Sequence, residues 1–295
     1  MNLLQILLLG LSLGAIYSLI ALGFVVIYKG TKVVNLAQGS LLLFGAYVVS
    51  LLSPALGFWL AAAAGIAAGA IAAVIIQFIV GAAKTQDHLV MTIMTIGVDI
   101  VAVALLAQQI QANIFGMNDP WGDGLIEIGG ASISQARVAA MVTAIVLITM
   151  FFLVFRYTTF GIKMRAAASD SETSALMGIS QRRVAIASWA IGGGLAVVGG
   201  IFLAAYPNIG LDSHSHFLAM NAVPAIIIGG MDSSEGAIFG GLIVGFTQAI
   251  VLGNSQFFAA VVGDGFVNAA PYVLMILVLL LKPNGLFGAK EVNRV

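Results

Sequence analysis

Few side chains in this sequence could do chemistry, and their types point away from catalysis. The histidines are His88, His214 and His216, and the last two stand two apart in a polar stretch. That spacing suits either a weak metal pair or an ordinary solvated pair. Cysteine is absent, which removes thiolate nucleophiles, disulfides and Cys-based metal sites. No Gly-x-x-x-x-Gly-Lys-Ser/Thr phosphate loop and no His-Glu-x-x-His zinc motif occurs. Asp99 is the one carboxylate near the centre of an apolar run, without the second Asp or the Ser and His that an intramembrane protease needs. A carboxylate there is expensive and functional by default. It is either a coupling group in a pathway or a protonated acid hydrogen-bonded to a neighbouring helix. No cofactor is expected, and the chain reads as a conduit rather than an enzyme.

The remaining candidates are amides, prolines and glycines at interruptions of apolar runs. Asn35 and Gln38 precede a short run and share one helical face. They either cap a helix at the headgroup level or line a wet path. Later come Asn221, Pro224 and the pair Gly229-Gly230, followed by the polar turn Met231-Asp-Ser-Ser-Glu-Gly236. Proline removes a helix hydrogen bond and paired glycines end or kink a helix. Broken backbone is tolerated in lipid only where protein covers it or a cavity faces it, so two interruptions, one early and one late, point to a transport path.

The elements that hold these residues must be membrane helices. Of 295 residues 61% are hydrophobic and 8% charged, against about 25% charged in an average soluble domain. The balance of 12 basic and 12 acidic residues offers no footprint for nucleic acid. Such a composition excludes an ordinary cytosolic enzyme and a disordered chain. The 35 glycines with 6 prolines suit closely packed helices, and the spacings Gly10–Gly14, Gly65–Gly69, Gly236–Gly240 and Gly241–Gly245 fit such contacts.

A span takes about 20 apolar residues. The stretches 3–27, 37–53, 55–81, 89–110, 136–156, 184–206, 217–231, 236–253 and 266–282 qualify or nearly so, predicting about nine crossings within a range of eight to ten. The first is too long for a signal-peptide core and has no preceding Lys or Arg. Nine crossings with an external N-terminus place Lys29, Lys32, Lys84, Arg156, Lys163, Arg165, Arg182, Arg183, Lys282, Lys290 and Arg294 inside, leaving Arg137 outside. The positive-inside rule therefore favours a cytoplasmic C-terminus. Outside stand Asp119, Asp123, Glu127, Asp212 and Asp264.

The expected fold is an all-α polytopic membrane protein of one domain over 1–295. A first half, 1–110, and a second, 184–282, have opposite orientations, each with a short second span, as in an inverted repeat. Between them lie an external loop, 111–135, with a hairpin or interfacial cap around Leu125–Ile128, and an inner loop, 157–183; a cytoplasmic tail covers 283–295. In the inner loop Ser169-x-x-Glu172 has capping-box spacing and Gly178 suits a stop, predicting a two-turn helix from Asp170 to Met177. That helix is too short to be stable alone. It is either a solvated connector or a docking element, with Ser171, Ser174 and Ala175 as its small face.

Gly14-Ala-Ile-Tyr-Ser-Leu-Ile-Ala-Leu-Gly23, Asn35-Leu-Ala-Gln-Gly-Ser40, Gly45-Ala-Tyr47, Gly161 through Ile179, Ile228 through Gly241 and Lys282-Pro-Asn-Gly-Leu-Phe-Gly288 together carry a resemblance. With them the sequence resembles the permease subunits of branched-chain amino acid ABC importers, the LivH type, over nearly its whole length. The resemblance implies two permease subunits meeting in the inner membrane of a bacterium or archaeon. It also implies two cytoplasmic ATPase subunits and an external substrate-binding protein. Loop 161–179 matches the ATPase-contacting segment, so Gly161, Arg165, Ala166, Asp170, Glu172, Ala175, Leu176 and Gly178 become candidate coupling residues. Asn35, Gln38, Asn221, Pro224, Gly229, Gly230 and Asp99 are the candidate path residues. Asp99 and Met231-Asp-Ser-Ser-Glu depart from the usual pattern. Related permeases carry urea, short amides or other amino acids. A channel or ion-coupled carrier working through Asp99 is the alternative of another class.

Overall fold

The structure is a computed structural model that describes residues 2–83, 87–111, 113–205, 210–263 and 265–288. Lys84, Asp264, Lys290 and Arg294 lie outside the described residues. The elements in chain order are α1 (Leu3–Thr31), α2 (Gln38–Leu56), α3 (Phe58–Gly81), α4 (His88–Ile110), β1 (Leu125–Ile128), β2 (Ala131–Ser134), α5 (Gln135–Tyr157), α6 (Thr159–Ser169) and α7 (Ser171–Leu176). They continue with α8 (Gln181–Ala204), α9 (Phe217–Met220), α10 (Val223–Gly229), α11 (Ser234–Gly253), α12 (Ser255–Val262) and α13 (Phe266–Leu281).

Among the described residues, α1, α2, α3, α4, α5, α8 and α11 make seven helices long and apolar enough to cross a bilayer, and the pair α12–α13, bent by 76°, makes up to eight. The nine spans read from the sequence exceed this at 217–231. That stretch is two short helices, α9 and α10, broken between Met220 and Val223. Hydropathy registers its composition, but a helix of 7 residues rises only about 10 Å in a core of about 30 Å. The chain still passes from one end of the bundle to the other there. Leu211 pairs with Phe115 at one end, while Asp232 meets Lys32 at 3.2 Å at the other. Between them the backbone of His216 lies against Gly39 in the interior.

The early interruption also differs from expectation. The run expected as the short span 37–53 is one unbroken helix, α2, of 19 residues. What interrupts the chain is the turn before it, which starts α2 inside the protein: Ala37 and Gln38 are fully buried.

The two ends of the bundle can be told apart. At the hairpin end, β1 and β2 pair antiparallel around Gly129-Gly130, whose φ values of 55° and 80° suit the mirror-image turn that two-residue hairpins need. Asn2 donates from Nδ2 to the Gly130 carbonyl at 3.2 Å, which places the N-terminus there. Trp121 meets Phe58 and Trp59 edge to face and Phe202 at a tilt at the same end. The opposite end holds α6, α7 and the chain after α13. There Leu286 and Phe287 donate backbone N–H groups to the carbonyls of Ile228 and Gly229, which the end of α10 leaves unpaired.

Burial separates core from periphery. In the most apolar stretches of α1 and α8, 67% and 72% of residues are buried, against 11% in α4 and 17% in α5. The antiparallel pair α1–α8 forms the axis, with α2 and α3 on one side and α10 and α11 on the other. Backbones touch where the sequence places glycine. A Cβ at Gly245 would overlap the backbone of Gly14, and one at Gly229 would overlap the carbonyl of Gly236. Each added methyl would push two helices apart.

Candidate functional site

The path candidates divide into two groups. Asn35 and Gln38 are fully buried. Asn35 donates from Nδ2 to Gln38 Oε1 at 3.0 Å and accepts from Ala37 N–H at 3.1 Å, while Gln38 Nε2 donates to the Gly192 carbonyl at 3.1 Å. Thr95 of α4 accepts from Leu36 N–H at 2.9 Å, and Asp99, one turn on, accepts from Ser40 N–H at 3.1 Å. A helix that starts inside a membrane protein has orphan N–H groups with no water to take them. Here α4 and the amides supply the acceptors. The headgroup-level N-cap read for Asn35 is corrected: the N-cap of α2 is Ala37, which has no side-chain cap bond, and Asn35 lies buried in the turn before it. The cavities at the two ends of the bundle are lined by other residues, and the polar groups of Asn35, Gln38 and Asp99 bond within the protein.

The second group straddles the α9–α10 break. Pro224 sits in the first turn of α10, where no helix hydrogen bond is lost, so it starts the helix rather than kinking it. Gly229 packs on α11, and Gly230, with φ 99°, ends α10 against Asn284 and Gly288. Neither borders the cavities at the two ends of the bundle. Asn221 does. It borders a cavity of about 600 Å³ at the hairpin end, between α1, α9, α11 and α13.

The floor of this cavity is a polar cluster that the sequence reading missed in part. The Tyr17 hydroxyl donates to Gln248 Oε1 at 2.7 Å, and the Asn221 amide lies beside the same hydroxyl. Tyr17 and Gln248 are each 3% exposed and Asn221 7%. The wall is aliphatic, including Leu13, Leu218 and Leu252, and the rim carries Arg137 and Asp212. The missed signal was available: Gln248 and Tyr17 are polar groups in the middle of apolar helices, the same oddity that marked Asp99. Of the histidine pair, His216 bonds the Ser213 carbonyl through Nδ1 at 2.9 Å, and no group of three His, Asp or Glu among the described residues could hold a metal.

At the opposite end a groove of about 900 Å³ lies between α1, α3, α4, α7 and α8, bordered by Lys32, Arg182, Glu172 and Ala175. Here the inner-loop helix has its own cap. Asp170, not Ser169, is the N-cap, accepting from Glu172 and Thr173 N–H at 3.0 Å each, while Ser169 ends α6. The Thr173 hydroxyl, with these N–H groups, holds the Asp170 carboxyl below its ordinary range. Gly178, with φ 83°, closes the C-terminus, where Ile179 N–H returns to the Ser174 carbonyl at 3.0 Å. The expected small face is partly used within the chain: Ser174 is buried and accepts from Gln181 Nε2 at 2.6 Å. Ala175 and Glu172 stay exposed, and Leu176 and Met177 are 87% and 79% exposed. In α6, Gly161 lies so close to Phe155 that a Cβ would overlap its carbonyl, and Arg165 donates to that carbonyl across the ring. Ala166 is half-buried beside them.

A bundle of glycine-packed spans, one broken crossing and a polar-floored cavity define a membrane conduit. The model of the family "branched-chain amino acid transport system / permease component" matches residues 6–282, and the chain belongs to that family. It is 29% identical to the high-affinity branched-chain amino acid transport system permease protein LivH of Salmonella typhimurium, across 97% of this chain and 96% of that protein. It is 28% identical to the corresponding protein BraD of Pseudomonas aeruginosa, over the same shares. A more distant relative is the fructose import permease protein FruF of Bifidobacterium longum, 25% identical over 87% of this chain and 75% of that protein.

Proposed function

We propose that this chain is the membrane-spanning subunit of an ABC importer that moves branched-chain or other hydrophobic amino acids across the inner membrane, driven by ATP hydrolysed on partner subunits. The observation that carries this reading is the near full-length similarity to LivH and BraD, both named as branched-chain amino acid permeases. The hairpin end faces outward, toward a substrate-binding protein, and the α7 end faces the cytoplasm. Supporting this orientation, Arg156, Arg182, Arg183 and Lys282 stand at helix ends on the α7 side, whereas Arg137 borders the hairpin-end cavity. The exposed flanks of α4 and α5 are available to lipid and to a second permease subunit, identical or homologous.

Coupling to an ATPase falls to α6 and α7. A helix of 6 residues capped at both ends, with Leu176 and Met177 held in solvent, presents an apolar tip that a partner would cover. The test is uptake of radiolabelled leucine into vesicles, with and without the ATPase subunits. ATP-dependent uptake is expected, and uptake that persists without the ATPase overturns the reading in favour of a channel or carrier. Ala175→Trp, on the exposed side of α7, should insert normally but lose the ATPase on co-purification. Glu172→Gln should change little, since an exposed charge contributes about 0–1 kcal/mol.

A further inference from the structure

We propose that the hairpin-end cavity is a binding site for the amino acid itself, inside a single permease chain, with Gln248 and Asn221 holding the carboxylate and the leucine-rich wall holding an aliphatic side chain. The proposal rests on the importer reading and goes beyond it by assigning a substrate site.

Three observations converge. The first is an unused donor. Gln248 is 3% exposed, and its Oε1 is occupied by the Tyr17 hydroxyl. Among the described residues no group accepts from its Nε2, so that N–H pair is left to the cavity. That donor is not among the buried unpaired polar atoms of the described residues, so it is open to the cavity, where a ligand or water can take it. The second is the division of the lining. Tyr17, Asn221 and Gln248 form the floor, while Leu13, Ile114, Leu203, Leu218, Leu252 and Val267 supply aliphatic surface. An α-amino acid with a branched hydrocarbon chain has this same division. Ser215 and Asn268 add further polar groups to the lining, so the choice between an amino acid and a sugar falls to the labelling experiment. The third is the rim, where Arg137 and Asp212 have opposite charges, suited to a zwitterion rather than an ion of one sign. The volume of about 600 Å³ lies within the roughly 300–1,000 Å³ of small-molecule sites.

Below the floor the way is shut. Ser18 donates to the Ile238 carbonyl at 2.9 Å, Gly241 lies against Ser18, and Gly240 against Ala225. The cavity thus lies at the hairpin end and is closed toward α7 by these contacts. Release inward requires α11 to part from α1 or α10 below Gln248.

The experiment uses the full importer, with this chain carrying a single cysteine in place of Leu218; the natural sequence has no Cys to interfere. L-leucine should slow labelling of L218C by a water-soluble thiol reagent several-fold, and D-fructose should not. In parallel, Gln248→Leu should lower uptake at low leucine concentration about tenfold, mainly through KM. Leu252→Trp, which fills the cavity, should abolish uptake while the ATPase still co-purifies. If leucine is taken up by the parent protein but neither protects L218C nor notices Leu252→Trp, the site is refuted and the importer reading stands. If the parent complex takes up no branched-chain amino acid while fructose protects L218C, the substrate assignment fails and the site proposal falls with it.

Discussion

At the start of α2, Asn35 and Gln38 hydrogen-bond to each other and to backbone, and Thr95 and Asp99 accept from backbone N–H groups of the turn. At the α9–α10 break, Asn221 joins Tyr17 and Gln248 around a cavity and leaves a donor free. The residue types are nearly the same, and so is the setting, a helix that begins within the bundle. The difference is what lies opposite. The α2 start faces the carbonyl of Gly192 on α8 and the hydroxyl and carboxyl groups of α4. The α9–α10 break faces α11 and α13 across a gap. Amides close a structure where backbone meets them and open a site where nothing does, so polarity within a membrane does not by itself mark a path.

Substitution in the two clusters should break this contrast most visibly. Gln38→Leu strands the Gly192 carbonyl and the Asn35 amide, each costing about 1–3 kcal/mol, so a stability loss of roughly 3 kcal/mol is expected. Gln248→Leu strands only the Tyr17 hydroxyl, for about 1 kcal/mol. Thermal unfolding in detergent compares them; equal losses would mean that both clusters are structural. Cysteine labelling comes next. Asn221→Cys should react with a water-soluble thiol reagent and Asn35→Cys should stay silent in every nucleotide state. Reaction at 35 would restore the α2 start to the path.

A smaller effect is expected at Asp99. Asp99→Asn keeps an acceptor for Ser40 N–H and should change uptake less than twofold, whereas an ion-coupled carrier relying on Asp99 would lose transport. The smallest effect is at Asp170. Its folded pKa lies below the ordinary 3.8, so the cap on α7 contributes fully above that value and is lost as pH falls through the lower folded value. Protection of α7 against hydrogen exchange should therefore persist to about pH 4 and fade below it, and Asp170→Ala should remove that dependence.

Much of this fold was legible in the sequence because hydropathy and basic-residue asymmetry register the solvent directly. The hairpin was one of two readings of the run Leu125–Ile128, and the α7 stop was signalled by Gly178. Asn221 was legible because it stood beside a visible break. Asn35 and Gln38 left two readings open because an amide that caps a helix and one that lines a pore read alike until the opposing surface is known. Tyr17 and Gln248 were missed although the argument applied to Asp99, a polar group stranded mid-span, applies equally to Gln248. At 217–231 the crossing is two short helices rather than one spanning helix, because composition does not reveal where a helix breaks.

The broken crossing also has a consequence for how the protein is made. The stretch 210–229, part extended and part short helix, exposes backbone groups that lipid cannot satisfy, so it cannot enter the bilayer alone as it leaves the ribosome. Its partners include α11 and α13, which are synthesised after it. The Tyr272 hydroxyl bonds the Met220 carbonyl at 2.9 Å, and Leu286 and Phe287 complete the end of α10. Chain order alone would leave these groups unpaired, so this segment is expected to reach its final place only after the last helix and the residues beyond it have been made.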